Sequence, residues 1–211
     1  MTVFIPIKHN SQRVPNKNFR LFEGKPLWER AIDKFANTKY KVYIDTDSED
    51  VVKKCSSRNV VAFKRNKNLI GDQVSVVELL KDFRKSFKIK SPICQIHVTS
   101  PFLQINHIDA AFNKILLEDY DSVFSANIIQ SRFWRKERYG FCPVNHNPMR
   151  LEQTQDLPKL YEENSYSYAF KPEVLDLNNR IGYNPYILEI NYPYNLDIDT
   201  EEDWKLVNSI I

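Results

Sequence analysis

Apolar residues along the chain follow two rhythms. Short, nearly continuous apolar runs occupy residues 3–7, 41–45, 59–63, 93–98 and 121–125, each closed by polar residues. Runs of this kind predict strands buried on both faces. Between them, apolar positions recur three and four residues apart, as on one side of a helix. Leu27, Trp28, Ala31, Ile32, Phe35 and Ala36 predict a helix over residues 26–38, with Pro26 in its first turn, where a missing N–H costs nothing. Asp47 or Ser48 is placed to cap a second helix running to about Arg58. A third helix has Asp72 as its expected N-cap and Val76, Val77, Leu79, Leu80, Phe83 and Phe87 as its apolar face. Ile105, Ile108, Ala111, Phe112, Ile115 and Leu116 mark a fourth. Alternating strands and helices predict an α/β fold: a mainly parallel sheet with helices on both faces.

Residues 127–164 break the rhythm. They are rich in aromatics, Asn, Pro and charge, without a clear period. The pattern resumes with strands at 165–170 and 186–190. A last helix then starts at Asp199 or Thr200 and carries Trp204, Leu206, Val207 and Ile210. The irregular stretch therefore reads as an arm inserted into a single domain over residues 1–211.

Composition narrows the classes. A chain of 211 residues can bury a large core without disulfide or metal staples. With 13 Phe, 11 Tyr and 3 Trp, disorder over the whole chain is excluded. The net charge of +3 is too balanced to point to a nucleic-acid partner. Only 4 glycines are present, too few for most glycine-rich phosphate loops. No apolar run reaches the roughly 18 residues of a membrane span, and the first residues lack the pattern of a secretory signal. Cys55, Cys94 and Cys142 are far apart and odd in number. That argues against a disulfide framework or zinc site and for reduced, mostly buried thiols in a cytoplasmic protein.

In parallel sheets, ligands bind in the loops after the strand carboxyl ends. The first such loop, Lys8-His-Asn-Ser-Gln-Arg-Val-Pro-Asn-Lys-Asn18, sets Lys8, Arg13 and Lys17 among small polar donors. Fixed cations and backbone amides suit a polyphosphate; a solvated basic loop is the plainer reading. Two Asp-x-Asp pairs follow, Asp45/Asp47 and Asp197/Asp199. In extended backbone both carboxylates of such a pair face one side, which suits a hard divalent cation completed by water and phosphate oxygens. A capping role is the rival for each pair. The four histidines show no metal-ligand spacing, and the aromatic-basic stretch Arg132-Phe-Trp-Arg-Lys136 reads as a packing or subunit contact.

Taken in order, these segments resemble the CMP-sugar synthetases, the acylneuraminate cytidylyltransferases. The first loop is similar to the family's opening motif at Ser11, Pro15, Lys17 and Asn18, with Lys8 in place of Arg and Gln12 in place of Lys. Gly24-Lys-Pro-Leu27, Asp45-Thr-Asp-Ser-Glu49, Arg65 with Asp72 and Ser75, Thr99-Ser-Pro101, Gln155-Asp-Leu-Pro158, Asn164 with Tyr168, and Asp197-Ile-Asp-Thr200 resemble later family motifs. The motifs are separated but span nearly the whole chain. Two departures stand out: His97 replaces a family Gln, and Gln153 replaces a family Arg suited to a carboxylate.

The resemblance implies a Rossmann-like nucleotidyltransferase domain whose arm, about 127–164, reaches into a second subunit of a homodimer. It implies transfer of CMP from CTP to an acidic sugar, an N-acylneuraminate or related nonulosonic acid, with release of pyrophosphate. Lys8, Arg13, Lys17 and Asp199 would be the catalytic set. Asn10, Ser11, Asn18, Arg65, Asp72 and Ser75 would join Lys8, Arg13 and Lys17 around the nucleotide. Asp197 and Asp199 would hold Mg²⁺ or another divalent cation. His97, Thr99, Ser100, Gln153, Gln155, Asn164 and Tyr168 would face the acceptor. Other acceptors (a 3-deoxy-octulosonate or a phosphonate), a glycosyltransferase using Asp45 and Asp47, and a catalytically dead nucleotide-binding protein stay open at this level.

Overall fold

Val3, Ile5 and Ile7 alternate with Phe4 along the first strand, β1 (Thr2–Ile7), and all four are fully buried. Both faces of the strand are therefore covered, which its unbroken apolar run requires. In the computed structural model, which describes all residues except Gln12, Arg58 and Ile211 and the side chains of Ser56 and Ser57, β1 lies in the middle of an eight-stranded sheet.

Chain order explains the layers. A small hairpin, β2 (Leu21–Phe22) and β3 (Lys25–Pro26), leads into α1 (Leu27–Asp33). Strand β4 (Lys41–Thr46) pairs parallel to β1. After it come α2 (Glu49–Lys54), the two-residue β5 (Ser56–Ser57) and β6 (Val60–Lys64). Helix α3 (Val76–Phe87) crosses to β7 (Ile93–Ile96), which flanks β1 on the other side in parallel. Helix α4 (Ile105–Leu117) precedes β8 (Ser122–Ile129), and the hairpin β9 (Trp134–Glu137) and β10 (Gly140–Pro143) follows. Strand β11 (Leu160–Phe170) runs antiparallel between β7 and β8. Strand β12 (Pro185–Glu189) closes that edge parallel to β8, and α5 (Glu201–Ser209) ends the chain. The sheet order is β12-β8-β11-β7-β1-β4-β6-β5. The expected mainly parallel sheet is thus present, with β11 reversed and a short antiparallel edge at β5.

Two cores sandwich this sheet. Trp28 and Ala31 of α1, Val51 of α2, and Ile108, Ala111, Phe112 and Ile115 of α4 pack on Val3, Ile5, Val42 and Ile44. On the opposite face Leu79, Leu80 and Phe83 of α3 pack on Phe4, Tyr43, Tyr168 and Phe170. A smaller cluster of Phe22, Leu27, Ile198, Trp204 and Val207 docks α5 against the hairpin β2–β3.

Several expected boundaries move. Helix α1 stops at Asp33, short of residue 38, and α2 stops at Lys54; Arg58 lies outside the described residues. Asp72 does not cap α3. Ser75 does, accepting from the Glu78 amide while the Glu78 carboxylate accepts from the Ser75 amide at 2.8 Å. This reciprocal box satisfies two orphan donors of the first turn, which a carboxylate three residues upstream does not. Ser48, rather than Asp47, caps α2. The arm is not wholly irregular either: its ends belong to β8 and β11, paired from Ala126–Glu163 out to Ile129–Leu160, and β9 and β10 form a hairpin between them. The thiols are free, but only Cys94 is buried; Cys55 is half-buried and Cys142 is exposed on β10. No helix among the described residues is long and apolar enough to cross a membrane.

Candidate functional site

Strand order reverses at β1, whose neighbours β4 and β7 lie on opposite sides. Strands β1 and β7 are adjacent and parallel, so the loops that follow them share the carboxyl edge of the sheet, where the crevice of such folds holds its ligand. The loop after β1 turns back through Asn16, which adopts a left-handed conformation (φ 52°), into a 3₁₀ turn at Lys17–Phe19. Asn tolerates that conformation better than most residues. The turn points the Lys17 side chain inward, leaving it only 11% exposed. Asn18 ties the start of the loop down, its side-chain amide donating to the Lys8 carbonyl at 2.8 Å.

The C-terminal segment enters the same crevice. Ile198 donates its amide to the Thr99 carbonyl at 2.9 Å, which joins the 197–199 stretch to the loop after β7. Lys17 donates to the Ile198 carbonyl and lies 3.1 Å from Asp199 Oδ1. Arg13 reaches the same oxygen at 2.9 Å. Lys8, Asn10, Ser11, Arg13, Val14, Lys17 and Asp72 line a cavity of about 310 Å³; Gln12 lies outside the described residues. Thr200, not Asp199, caps α5 in a box with Asp203. The Asp199 carboxylate is therefore free of capping duty and faces two cations instead.

Asp197 presents the complementary feature. One of its oxygens, Oδ1, is buried without a hydrogen-bond partner among the described residues. Burial and the neighbouring Asp199 charge push its carboxyl above the usual carboxylate range, against a hydrogen bond from Thr99 and the charge of Lys17. A buried, unpartnered oxygen beside a second carboxylate fits a hard divalent cation. Among the described residues no cluster of three or more acidic, His or Cys side chains forms a ready-made metal cage. The donor set suits a cation that keeps most of its positions for water or phosphate oxygens, as Mg²⁺ does.

The other acidic pair is occupied. Asp45 is 1% exposed and Arg65 6%, and they form a buried ion pair. Arg65 also donates to the carbonyls of Asp45 at 3.2 Å and Ile7 at 3.5 Å. It thereby binds the ends of β4 and β1 together. Its guanidinium is thus engaged beneath the loops by Asp45 and two backbone carbonyls. Asp47 accepts from the His9 amide at 2.7 Å, which pins the loop after β1. Asp72 pairs with Lys8 at the cavity wall, and the Ser75 hydroxyl is engaged with Glu78.

Just past β7, His97 is half-buried, and that burial with help from Arg180 and Lys17 pushes its pKa down to about 4. It is neutral at pH 7. Its Nε2 lies 2.6 Å from the Gln95 amide nitrogen. Tyr168 lies directly across the ladder from Gln95. The buried Ser100 hydroxyl has no partner among the described residues, and Thr99 bonds Asp197. His97 and Thr99 thus lie near Lys17 and the 197–199 segment, with Ser100 beside them in the same loop, while Tyr168 is fully buried across the ladder from Gln95. Asn164 lies further along β11, donating to Asn127 at 2.8 Å. Gln153 and Gln155 do not join this group within one chain. They sit on the arm, bonded to each other, with the Gln155 carbonyl accepting from Gln130 at 2.7 Å. Sequence reasoning missed Gln95, Glu163 and Arg180. Gln95 is hidden in an apolar strand, and Arg180 follows β11 in a stretch without periodicity.

The sequence model described as cytidylyltransferase matches residues 2–207. The chain belongs to the cytidylyltransferase family. N-acylneuraminate cytidylyltransferase A of Danio rerio is 29% identical over 214 residues, covering 98% of this chain and 49% of that protein. The N-acylneuraminate cytidylyltransferase of Streptococcus agalactiae serotype V is 26% identical, covering 95% of this chain and 50% of its own length. The chain thus spans about half the length of these curated relatives. A pseudaminic acid cytidylyltransferase of Campylobacter jejuni is also 26% identical, with 94% of this chain and 90% of that protein covered. Among solved structures, a CMP:2-keto-3-deoxy-manno-octonic acid synthetase complexed with CTP superposes with a TM-score of 0.70 at 13% identity, covering 99% of this chain and 97% of the other. That likeness is one of fold.

Proposed function

We propose that this chain transfers CMP from CTP to a hydroxyl of an acidic nonulosonic sugar. The acceptor hydroxyl oxygen bonds to the α-phosphorus and gives up its proton to water, the bond to the bridging oxygen of the β-phosphate breaks, and pyrophosphate leaves with its electron pair. One observation carries the reading: Lys17 and Arg13, from the loop after β1, meet the Asp199 carboxylate at 3.1 and 2.9 Å, at the point where strand order reverses.

A triphosphate carries about four negative charges, so such a reaction depends on positioning and charge stabilisation more than on covalent chemistry. Lys8, Arg13 and Lys17, with the amides of Asn10 and Ser11, would bind the phosphates. Asp197 and Asp199 would hold a divalent cation such as Mg²⁺, which supplies Lewis-acid polarisation of the α-phosphate. Arg13 and Lys17 would pass from Asp199 to the phosphates as the nucleotide arrives. Neutral His97 offers a hydrogen bond to a sugar hydroxyl without adding charge, and Thr99 and Ser100 add hydroxyls from the same loop.

The arm suits contact with a second copy. Trp134, Tyr139, Phe141, Met149 and Leu151 are exposed on it, from 50% to 93%, an apolar surface of the kind that marks an interface. In a homodimer, Gln153 and Gln155 of one protomer would complete the acceptor side of its partner.

Pyrophosphate release tests the reading, with CTP, ATP, GTP and UTP offered in turn alongside N-acetylneuraminate, pseudaminate and 3-deoxy-octulosonate, with and without Mg²⁺. The expected result is release with CTP, dependent on Mg²⁺ and on one of the nine-carbon acids. Equal release with all four nucleotides, or none with any acid, overturns it.

A further inference from the structure

Arg180 borders the His97 side of the crevice and belongs to no motif of the sequence. Its side chain is 18% exposed. The guanidinium carbon lies 3.4 Å from the centre of the Tyr168 ring, a stacked arrangement that arginine, with its planar head, makes well. One nitrogen, Nη1, donates to Gln95 Oε1 at 2.6 Å, and Gln95 in turn contacts His97. The other, Nη2, stands 3.9 Å from Glu163 Oε1, too far for a hydrogen bond.

The loop that carries Arg180 is held firmly. The Asn179 side chain accepts from the amides of Arg180 at 2.7 Å and Ile181 at 3.2 Å. Asp121 accepts from the amides of Tyr183 and Asn184 at 2.7 and 2.9 Å. Gly182 lies so close to the Asp121 carboxylate that a Cβ there would sit 2.3 Å from its Oδ2. A rotamer locked by stacking and hydrogen bonding, on a pinned loop, leaves a preorganised fork whose Nη2 lies beyond hydrogen-bond reach of Glu163.

The Glu163 carboxylate accepts from the Tyr168 hydroxyl and is 45% exposed. Arg180 thus combines a largely buried positive charge with a wide-set acidic neighbour, one hydrogen-bonded residue away from His97. Burial holds its guanidinium below the usual arginine range, so a bound anion there gains from a poorly hydrated cation.

We propose that Arg180 is the residue that binds the carboxylate of the acidic acceptor, with Tyr168 and Gln95 holding it in place. The inference rests on the cytidylyl-transfer reading above and names the group that reads the acid. In a 2-ulosonic acid the carboxylate is borne by the anomeric carbon that carries the attacking hydroxyl. Gripping the one therefore orients the other, and Arg180 acts on specificity and on positioning together.

The test compares the unaltered chain with Arg180→Ala, Arg180→Lys and Glu163→Gln. The substrate is whichever of N-acetylneuraminate, pseudaminate or 3-deoxy-octulosonate supports turnover, together with its carboxamide. Both KM values and kcat are read from pyrophosphate release. Arg180→Ala should raise KM for the acid about 10- to 100-fold, the cost of one charged hydrogen-bonded contact. It should leave KM for CTP within about threefold and erase the preference for acid over carboxamide. Arg180→Lys, which keeps the charge but not the fork, should recover part of that preference. Glu163→Gln, which removes the competing acid, should lower KM for the acid. If Arg180→Ala weakens acid and carboxamide equally, or leaves KM for the acid unchanged while the chain turns over, the inference is wrong and the transfer reading stands. If the unaltered chain releases no pyrophosphate from CTP with any of the acids, both fall. Thermal melts of the variants separate a misfolded protein from a folded one that has lost the contact, and Arg180→Lys decides the matter if Arg180→Ala does not fold.

Discussion

The crevice and the arm are built on opposite principles. In the crevice, cations and carboxylates from distant parts of the chain are fixed by burial: Lys17 by Ile198 and Asp199, Arg65 by Asp45, Ile198 by Thr99. On the arm, hydrogen bonds join one part of the arm to another, such as Gln130 to the Gln155 carbonyl at 2.7 Å, and large apolar side chains face outward. A charge set in place beforehand can stabilise charge that develops during reaction without reorganising. An exposed apolar surface gains free energy only when something covers it. The first region is suited to holding reacting charges in place, and the second to being covered by another surface.

The contrast can be broken most sharply at the acidic pair. Asp197→Asn and Asp199→Asn should each lower the rate of pyrophosphate release on the order of 10²–10³-fold, and the double variant should nearly abolish it. Melting temperature should stay within about 4 °C of the unaltered chain, because Thr200 holds the helix cap. Unfolding in place of inactivity would make these carboxylates structural.

Arg65→Met comes next. Removing one partner of a buried ion pair costs about 3–5 kcal/mol because the other is left charged and unpaired. Urea denaturation should show that loss, and replacing Asp45 with Leu in the same chain should recover a large part of it. An unchanged midpoint would mean that Arg65 is a ligand contact and not a brace.

Acid tests the floor of the crevice. In the unfolded chain His97 takes up a proton near pH 6.5, but in the folded chain only near pH 4. Over that interval the unfolded state binds more protons, so stability should fall as pH drops from 6.5 to 4 and level off below. Denaturation midpoints measured across that range should decline less steeply in His97→Gln. Equal slopes would place His97 in water.

Smaller effects separate cap from arm. Thr200→Ala removes the box at α5 and should cost about 1 kcal/mol, read from the same denaturation curves. Trp134→Ser and Phe141→Ser should change protomer stability by no more than about 0.5 kcal/mol yet weaken self-association, measured by sedimentation. A large stability loss with unchanged association would make the arm part of the core.

Legibility along the chain follows burial. The runs at Val3, Val42 and Ile93 are readable as strands because both faces of the sheet are covered. In Trp134-Arg-Lys-Glu137 every residue is exposed, so no core imposes a period and the hairpin gives no signal. Ser75 is easily missed as a cap because its partner Glu78 lies inside the helix, whereas Asp72 stands in an inviting turn. In the crevice, motif resemblance points to Lys17 and Asp199, but Arg180 belongs to no pattern. Resemblance also assigns Arg65 to the nucleotide, though its guanidinium braces two strands.

Periodicity is a local property, and so the elements, their order and the class of sheet can be read from the amino-acid sequence itself, as can the residue types available for holding phosphate. Which charges meet is not local. Lys17 and Asp199 are 182 residues apart, and only the packing of β1 between β4 and β7 brings their segments into one crevice. The same packing commits Asp45 to Arg65 and leaves a buried oxygen of Asp197 without a partner among the described residues. Two acidic pairs of identical spacing thereby have different surroundings, because burial and neighbouring charge, not composition, decide which carboxylate is paired off and which keeps an unpartnered oxygen.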